Sequence, residues 1–207
     1  TISFTRTYDS AGNAMYYNTD LLDKYDANTF LDDDVVTIEE ILSLDGKLDE
    51  GQYAINNALI EWVTLANVVN AGGDISDEAG NPTINTDAMR SVVEQLKSVA
   101  DAGLMSPYGE DGYAMFQSGD VLFSTDGTWT STAHGSVEGL NFGVTTIYSV
   151  TPDKFTNRSS AHLFSLLNNE DRTDEKEQGV ADFLSWMREN SLDWAGAGQI
   201  VASKEVF

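Results

Sequence analysis

The sequence predicts an α/β protein in which a mixed sheet is flanked by helices. Short apolar runs bounded by turn residues, such as Val121–Phe123, alternate along the chain with patterns of helical spacing. Strands that alternate with helices along a chain are typical of a single α/β unit. No Pro- or Ser-rich linker, charge block or internal repeat divides the 207 residues. We therefore expect one domain over residues 1–207.

The segment from Met115 to Trp129 contains a predicted strand that is followed by a candidate ligand-binding residue. It comprises the end of a short helix, a turn at Gly119, the apolar run Val121–Phe123 and a second turn at Gly127. Open α/β sheets bind ligands beyond the carboxyl ends of their strands, which is where Trp129 falls. Trp129 is thus a candidate for the wall of a binding cleft. The local pattern by itself favours a packing role slightly over a binding role, because tryptophan is highly buried on average.

In the first half of the chain, helix caps and apolar periodicity define the elements. Thr37 and Glu40 have the spacing of a capping box, and Gly72 follows the apolar helix that contains Trp62. The predicted elements are, in order, strands at 2–8 and 14–18, helices at 20–25 and 37–44, a strand at 52–55 and a helix at 57–70.

The second half begins with the clearest helix, which Asn85 or Thr86 caps and Gly103 ends. Its apolar positions have helical spacing and predict a face toward the core: Met89, Val92, Val93, Leu96, Val99 and Ala100. The remaining predicted elements are strands at 121–123 and 140–148, a buried strand at 161–167, a helix that begins at Asp174 and a Gly/Ala-rich loop at 194–202. The predicted buried stripe of that helix comprises Val180, Phe183, Leu184 and Met187.

Composition excludes several classes of function. The formal net charge of −23, from 34 acidic and 11 basic side chains, disfavours binding to nucleic acid or to anionic lipid surfaces. The chain has no cysteine, so disulfides, thiolate metal sites and cysteine nucleophiles are excluded. No apolar run approaches the roughly 20 residues of a membrane-spanning helix.

No catalytic, cofactor or metal motif is present in the sequence. The Asp-rich segment 74–82 has Ala79 where a calcium loop of the EF-hand type requires glycine. The two histidines, His134 and His162, lie far apart in the chain and share no metal-ligand spacing. Nucleotide-binding loops and nucleophile elbows are also missing. The sequence therefore predicts a protein that is not an enzyme and uses no cofactor or metal.

Two pairings of tryptophan with a carboxylate are suited to sugar binding. Glu61 precedes Trp62, and Asp126 lies three residues before Trp129. Aromatic faces stack on the C–H faces of sugar rings, while carboxylates accept hydrogen bonds from sugar hydroxyls. For Trp62, the helical periodicity fits a place in the core equally well.

Five segments, in order, resemble the family 1 extracellular solute-binding proteins of ABC importers, the group that contains maltose-binding protein. The first is Met15–Leu22, which is similar to the family's Tyr-Tyr-Asn-x-Asp-Leu stretch. The others are 37–41, Trp62 with the Gly72-Gly73 pair, Phe116–Val121 with Gly127–Trp129, and 196–204. Two positions depart from the family's pattern: Ile38 stands where Trp is usual, and Val201 stands where Pro is usual.

This resemblance implies a periplasmic-binding-protein type II fold, with this chain forming mainly the second of two lobes. Most of the first lobe and the final helices are expected to lie outside it. By this resemblance, Trp129 and Trp62 correspond to the family's sugar-stacking positions, and His162 lies near the expected cleft. Glu61 adjoins the Trp62 position but does not itself match the family's acidic ligand. The implied ligand is a mono- or oligosaccharide, and the implied partners are the permease subunits of an ABC transporter.

The resemblance also implies a monomer at the extracellular face of the membrane, held by a lipid anchor, or in the periplasm. Three alternatives stay open on the sequence alone. The first is a glycoside hydrolase or another carbohydrate-active enzyme. The second is a binding protein for a non-sugar solute, such as a polyamine or a metal-bound anion. The third is a structural or adhesive surface domain.

Overall fold

The structure is a computed structural model that describes residues 2–7, 9–33, 35–167 and 170–204. The chain divides into two compact units. The larger unit comprises Asn13–Gly127 and His134–Arg158, and the smaller unit comprises the described parts of 1–12, 128–133 and 159–207.

A four-stranded mixed sheet is the centre of the larger unit. Its strands are β2 (Asp9–Asn18, of which the part from Asn13 lies in this unit), β3 (Tyr53–Ile55), β4 (Val121–Gly127) and β5 (Phe142–Thr145), in the order β3-β4-β2-β5. Strand β3 runs parallel to β4, whereas β2 is antiparallel to both β4 and β5. In the register of the central strand, Tyr16 lies opposite Ser124 on one side and Val144 on the other.

Side chains alternate along β2 and so contribute to two apolar clusters. Met15 packs into the main core, whereas Ala14 and Tyr16 pack with Phe116 in a second, smaller cluster. The helices of the larger unit are α1 (Thr19–Lys24), α2 (Ile38–Leu42), α3 (Ile60–Asn70), α4 (Asp87–Asp101), α5 (Gly112–Ser118) and the last two residues of α6 (Ser131–Gly135).

Local capping signals explain where these helices begin. Thr37 and Glu40 form the predicted capping box, in which each side chain satisfies the other residue's backbone N–H. Thr86 caps α4 by accepting from the N–H of Met89. Of the six apolar positions predicted to face the core from α4, Val92, Leu96 and Val99 are buried, while Val93 is half exposed.

The smaller unit contains two sets of paired strands and two helices. Strand β1 (Ile2–Thr7) is antiparallel to β7 (Leu163–Leu167), and the first residues of β2 pair with β6 (Ser159–Ser160) and β8 (Ile200–Val201). The helices are α7 (Asp174–Glu189) and α8 (Ser191–Ala195).

Three predictions for this unit were wrong. The strand predicted to be buried has alternating half-buried and exposed residues, with Leu163 and Leu167 more than half exposed. Helix α7 has no buried residue, and Phe183 of the predicted stripe is half exposed. Trp194 lies in α8, not in a loop. Apolar spacing identifies the face that could be covered, but it does not say which part of the protein covers it.

Candidate ligand-binding site

The ends of β3 and β4 are joined by the side chain of Asn56. This fully buried residue follows β3 directly. Its Nδ2 donates to Ser124 Oγ at 2.7 Å, and its Oδ1 accepts from the N–H and the hydroxyl of Thr125 at 3.0 and 3.1 Å. All three bonds are made inside the core, where unpaired polar groups are costly. Asn56 therefore fixes the position at which the chain leaves the sheet.

The loop after Asn56 is held by further bonds to its backbone. The N–H of Asn57 donates to Ser106 Oγ at 3.0 Å, and the single hydroxyl proton of Thr125 is shared between Asn56 Oδ1 and the carbonyl of Ala58, which lies 3.0 Å from Oγ1. Leu59, the N-cap residue of α3, has a φ of +49°, an uncommon value for a residue other than glycine. Such backbone conformations concentrate at functional sites, where the surrounding contacts enforce them. The loop thus places Trp62 in the first turn of α3.

Trp62 is half buried and carries a cation on its ring. The guanidinium of Arg158 lies 3.9 Å from the ring centroid, which is cation–π geometry. Glu61, the neighbouring candidate acceptor, is exposed. A flat aromatic surface beside a planar group with several N–H donors suits a ligand that has both C–H faces and oxygen acceptors.

Asp126 lies at the carboxyl end of β4 and is half buried. Burial raises the pKa of its carboxyl group above the ordinary value. The hydrogen bond that Oδ1 accepts from the N–H of Gly127, at 2.6 Å, opposes this shift, and the charge of Asp111 adds to it. Because Thr125 bonds the loop at Ala58, the segment with Asp126 and the segment with Trp62 meet at the end of the sheet.

Trp129 and His162 belong to the smaller unit. Trp129 lies in a single 3₁₀ turn, Thr128–Thr130, two residues beyond the end of β4, and is 36% exposed. His162 is exposed and lies edge-on to Trp194, with ring centroids 6.1 Å apart. The five candidate residues are thus divided, with Glu61, Trp62 and Asp126 in the larger unit and Trp129 and His162 in the smaller.

Sequence reasoning missed Arg158 and Asn56. Arg158 is separated from Trp62 by most of the larger unit, so no local pattern joins the two residues. The only available signal was a basic side chain in a strongly acidic chain. Asn56 could have been identified as a polar residue directly after a predicted strand, which is the usual place for residues that shape a site in α/β proteins.

In the part of the chain that the structure describes, no group of three or more acidic and histidine side chains is arranged to hold a metal ion. Among the same residues, no helix combines the length and apolar character that crossing a membrane requires.

The mixed sheet flanked by helices, with aromatic and polar side chains at the strand ends, is the architecture of one lobe of an α/β solute-binding protein. Residues 7–203 match the bacterial extracellular solute-binding protein family, and the chain belongs to that family. This confirms the predicted family and the prediction that the protein is not an enzyme, because the family consists of proteins that bind solutes. No curated protein sequence matches the chain.

Solved structures of solute-binding proteins share the fold. An ABC substrate-binding protein from Listeria monocytogenes in complex with cycloalternan superimposes with a TM-score of 0.78 and 17% identity, over 98% of this chain and 54% of that one. The maltose/maltodextrin-binding domain from Bdellovibrio bacteriovorus bound to maltotriose gives 0.77 and 14%, over 98% and 55%. UgpB from Mycobacterium tuberculosis in complex with glycerophosphocholine gives 0.78 and 14%, over 96% and 53%.

These similarities confirm the predicted fold class, an α/β periplasmic-binding-protein lobe with a mixed sheet flanked by helices. The chain spans about half the length of these proteins.

Proposed function

We propose that the protein is the substrate-binding component of an ABC importer and that its ligand is a carbohydrate, most simply an oligosaccharide. The observation that carries this proposal is the half-buried ring of Trp62, held at the end of the sheet by the Asn56 loop and by Arg158. An indole that is fixed in place stacks on a sugar ring with little loss of side-chain freedom.

Each candidate residue has a role in this proposal. Trp62, through the ring face opposite Arg158, and Trp129 are stacking surfaces, while Glu61 and Asp126 accept hydrogen bonds from sugar hydroxyls. His162 is a further polar contact. Because burial raises the pKa of Asp126, its carboxyl group takes up a proton at a higher pH than an ordinary aspartate does. Two of the similar structures hold cycloalternan and maltotriose, which supports a sugar as the ligand.

The remaining parts of the proposal depend on the family. The chain acts as one lobe of a protein that closes on its ligand and presents it to membrane permease subunits. The protein functions as a monomer outside the cytoplasmic membrane, with a lipid anchor or in the periplasm.

A non-sugar solute is the second candidate, and Arg158 is the observation that favours it. A guanidinium beside an aromatic ring also suits a phosphodiester that carries a quaternary ammonium group, and one similar structure holds glycerophosphocholine. The net charge of −23 opposes the approach of anions in general.

A thermal-shift and calorimetric screen of the full-length protein tests the proposal, with maltotriose, cyclic glucose tetrasaccharides and glycerophosphocholine as probes. We expect a sugar to stabilise the protein and Trp62→Ala or Trp129→Ala to weaken its binding by at least about tenfold, the loss expected when a large aromatic contact is removed. Trp186→Ala is the control, since that side chain is 57% exposed on α7 and has no role in the proposed site. Binding of glycerophosphocholine alone, or sugar affinity unchanged in both variants, would refute the sugar site.

A further inference from the structure

The side chain of Tyr16 extends along the central sheet toward the carboxyl end of β4. The residue is fully buried in β2 and pairs with Ser124 of β4. Its hydroxyl, however, donates to the carbonyl of Gly127 at 2.9 Å, in the interior of the protein. Gly127 lies three residues beyond Ser124, which is roughly 10 Å along an extended strand. The bond is therefore not part of the ladder of backbone hydrogen bonds, and pairing of the strands does not require it.

The ring of Tyr16 is held by aromatic neighbours from three other elements. Its centroid lies 4.8 Å from that of His134, 6.0 Å from that of Phe142 and 6.2 Å from that of Phe116. These neighbours belong to α6, β5 and α5. Protein interiors are close-packed, so a ring that is enclosed on several sides has little room to move. The hydroxyl thus ties the carbonyl of Gly127 to a rigid part of the larger unit.

Gly127 in turn holds the carboxyl group of Asp126. Its N–H donates to Asp126 Oδ1 at 2.6 Å, which leaves Oδ2 as the oxygen without a partner among the described residues. Glycine has no Cβ to restrict its backbone, so the bonds to its N–H and carbonyl determine which conformation Gly127 adopts. Asp126 pairs with Ala14, two residues before Tyr16, so Tyr16 and Asp126 lie on the same face of the sheet. The Tyr16 hydroxyl therefore acts on the Asp126 carboxyl group through a single residue.

Burial alone does not explain the bond from Tyr16 to Gly127. Tyr148 is also a fully buried tyrosine, in the main core, and its hydroxyl has no hydrogen-bond partner among the described residues. An unpaired buried hydroxyl lowers stability, yet the fold tolerates one at this position. Tyr148 is therefore a matched reference for the effect of removing a tyrosine hydroxyl from the core.

We propose that Tyr16 is a positioning residue of the ligand site, whose hydroxyl fixes Gly127 and thereby the direction in which Asp126 presents Oδ2 to a ligand. This role rests on the proposed function, in which Asp126 accepts a hydrogen bond from the solute. Tyr16 is buried and does not itself contact the solute. Its contribution is preorganisation, because an acceptor that is already oriented loses less freedom when a ligand binds.

Tyr16→Phe in the full-length protein tests this role, because it removes the hydroxyl and keeps the ring. The first measurement needs no ligand and follows the titration of the Asp126 carboxyl carbon by ¹³C NMR. Burial raises the pKa of Asp126, and the bond from the Gly127 N–H opposes that shift. Releasing Gly127 weakens this bond, so the pKa of Asp126 should rise above its wild-type value in Tyr16→Phe. Tyr148→Phe should leave the pKa of Asp126 unchanged.

The second measurement is the affinity for maltotriose by calorimetry, at a temperature where circular dichroism shows every variant to be folded. Tyr16→Phe should weaken binding by roughly threefold to tenfold, the equivalent of one hydrogen bond, and Tyr148→Phe by less than about twofold. If the wild type binds no sugar, the proposed function fails, and the titration of Asp126 still decides whether Tyr16 positions that group.

A measurement on the wild type replaces these two if Tyr16→Phe does not fold. The NMR signal of the Tyr16 hydroxyl proton should then move over the pH interval in which the Asp126 carboxyl carbon titrates, while that of the Tyr148 hydroxyl stays in place. The proposal is overturned by any of three results. These are an Asp126 pKa that is unchanged or lower in Tyr16→Phe, equal maltotriose affinity of Tyr16→Phe and a wild type that binds, or a Tyr16 hydroxyl signal that does not follow Asp126.

Discussion

Gly112→Ala should destabilise the larger unit, although alanine is the better helix former. A Cβ at Gly112, the first residue of α5, would lie 2.6 Å from Asn56 Nδ2 and 3.0 Å from Asn56 Cβ. Both separations are far below ordinary van der Waals contact. Asn56 cannot move aside freely, because three hydrogen bonds hold it to Ser124 and Thr125.

The magnitude follows from the two ways in which the overlap can be relieved. If the backbone shifts, overpacking of this kind costs about 1–3 kcal/mol. If Asn56 rotates, it gives up bonds that are worth about 1 kcal/mol each. The gain in helix propensity is at most about 1 kcal/mol and is smaller in the first turn. We therefore expect a net loss of about 1–2 kcal/mol.

Urea unfolding followed by circular dichroism measures this change, and Gly135→Ala is the control. Gly135 ends α6, its φ is not in the left-handed region and an added Cβ would meet nothing within 4 Å, so its substitution should leave stability within about 0.5 kcal/mol. Asn56→Ala removes Nδ2, the atom in closest contact, and keeps only the Cβ at 3.0 Å, so the double variant should lose less than the sum of the two single losses. Equal stability of Gly112→Ala and wild type, or strict additivity, would refute a rigid Asn56.

Three further predictions concern the pH dependence of stability, the packing of Gly198 against Thr128 and a helix cap. His134 is fully buried among Tyr16, Tyr113, Phe116 and Phe142, and burial lowers its pKa. The unfolded chain thus takes up a proton near pH 6.5 and the folded chain does not. The free energy of unfolding should fall by up to about 1.4 kcal/mol per pH unit as the pH drops from 6.5 toward the lower folded-state pKa. Urea unfolding at several pH values measures this dependence, and His134→Leu should reduce it. An equally steep dependence on pH in that variant would contradict the prediction. Gly198 has a φ of +81°, and an added Cβ would overlap the carbonyl oxygen of Thr128. Gly198→Ala should therefore lower the thermal midpoint of unfolding more than the control Gly179→Ala, because an added Cβ at Gly179 would meet nothing within 4 Å. Thr37→Ala breaks the capping box and should cost about 0.5–2 kcal/mol, whereas Thr37→Ser should cost less; equal losses in urea unfolding would argue against the cap.

Features with local causes could be predicted from the sequence. The capping box at Thr37, the cap at Thr86 and the turn at Gly119 each depend on a few neighbouring residues, and the structure has all three. The position of Trp129 just beyond β4 follows from the same kind of pattern. Such features depend on backbone groups within one helical turn or one tight turn, so the residues that cause them adjoin in the sequence.

Features that depend on distant residues could not be predicted. The helix expected from Asn57 begins at Ile60, because Thr125 and Ser106 hold the preceding loop in another conformation. Arg158 on Trp62 and the bond from Tyr16 to Gly127 likewise result from tertiary packing. The exposure of α7 has the same origin, since periodicity describes a helix and not its neighbours.

Strand β2 has a consequence for how the protein folds during synthesis. It is synthesised before its partners in the central sheet, β4 and β5, which come more than a hundred residues later in the chain. The Tyr16 hydroxyl, for example, donates to the carbonyl of Gly127, 111 positions away. Contacts of such long sequence separation make folding slow, because the loop must close before the pairing stabilises it. The apolar residues of β2 therefore remain without these partners until β4, which ends at Gly127, and then β5 have emerged from the ribosome, and this nascent stretch is where we expect chaperones to bind.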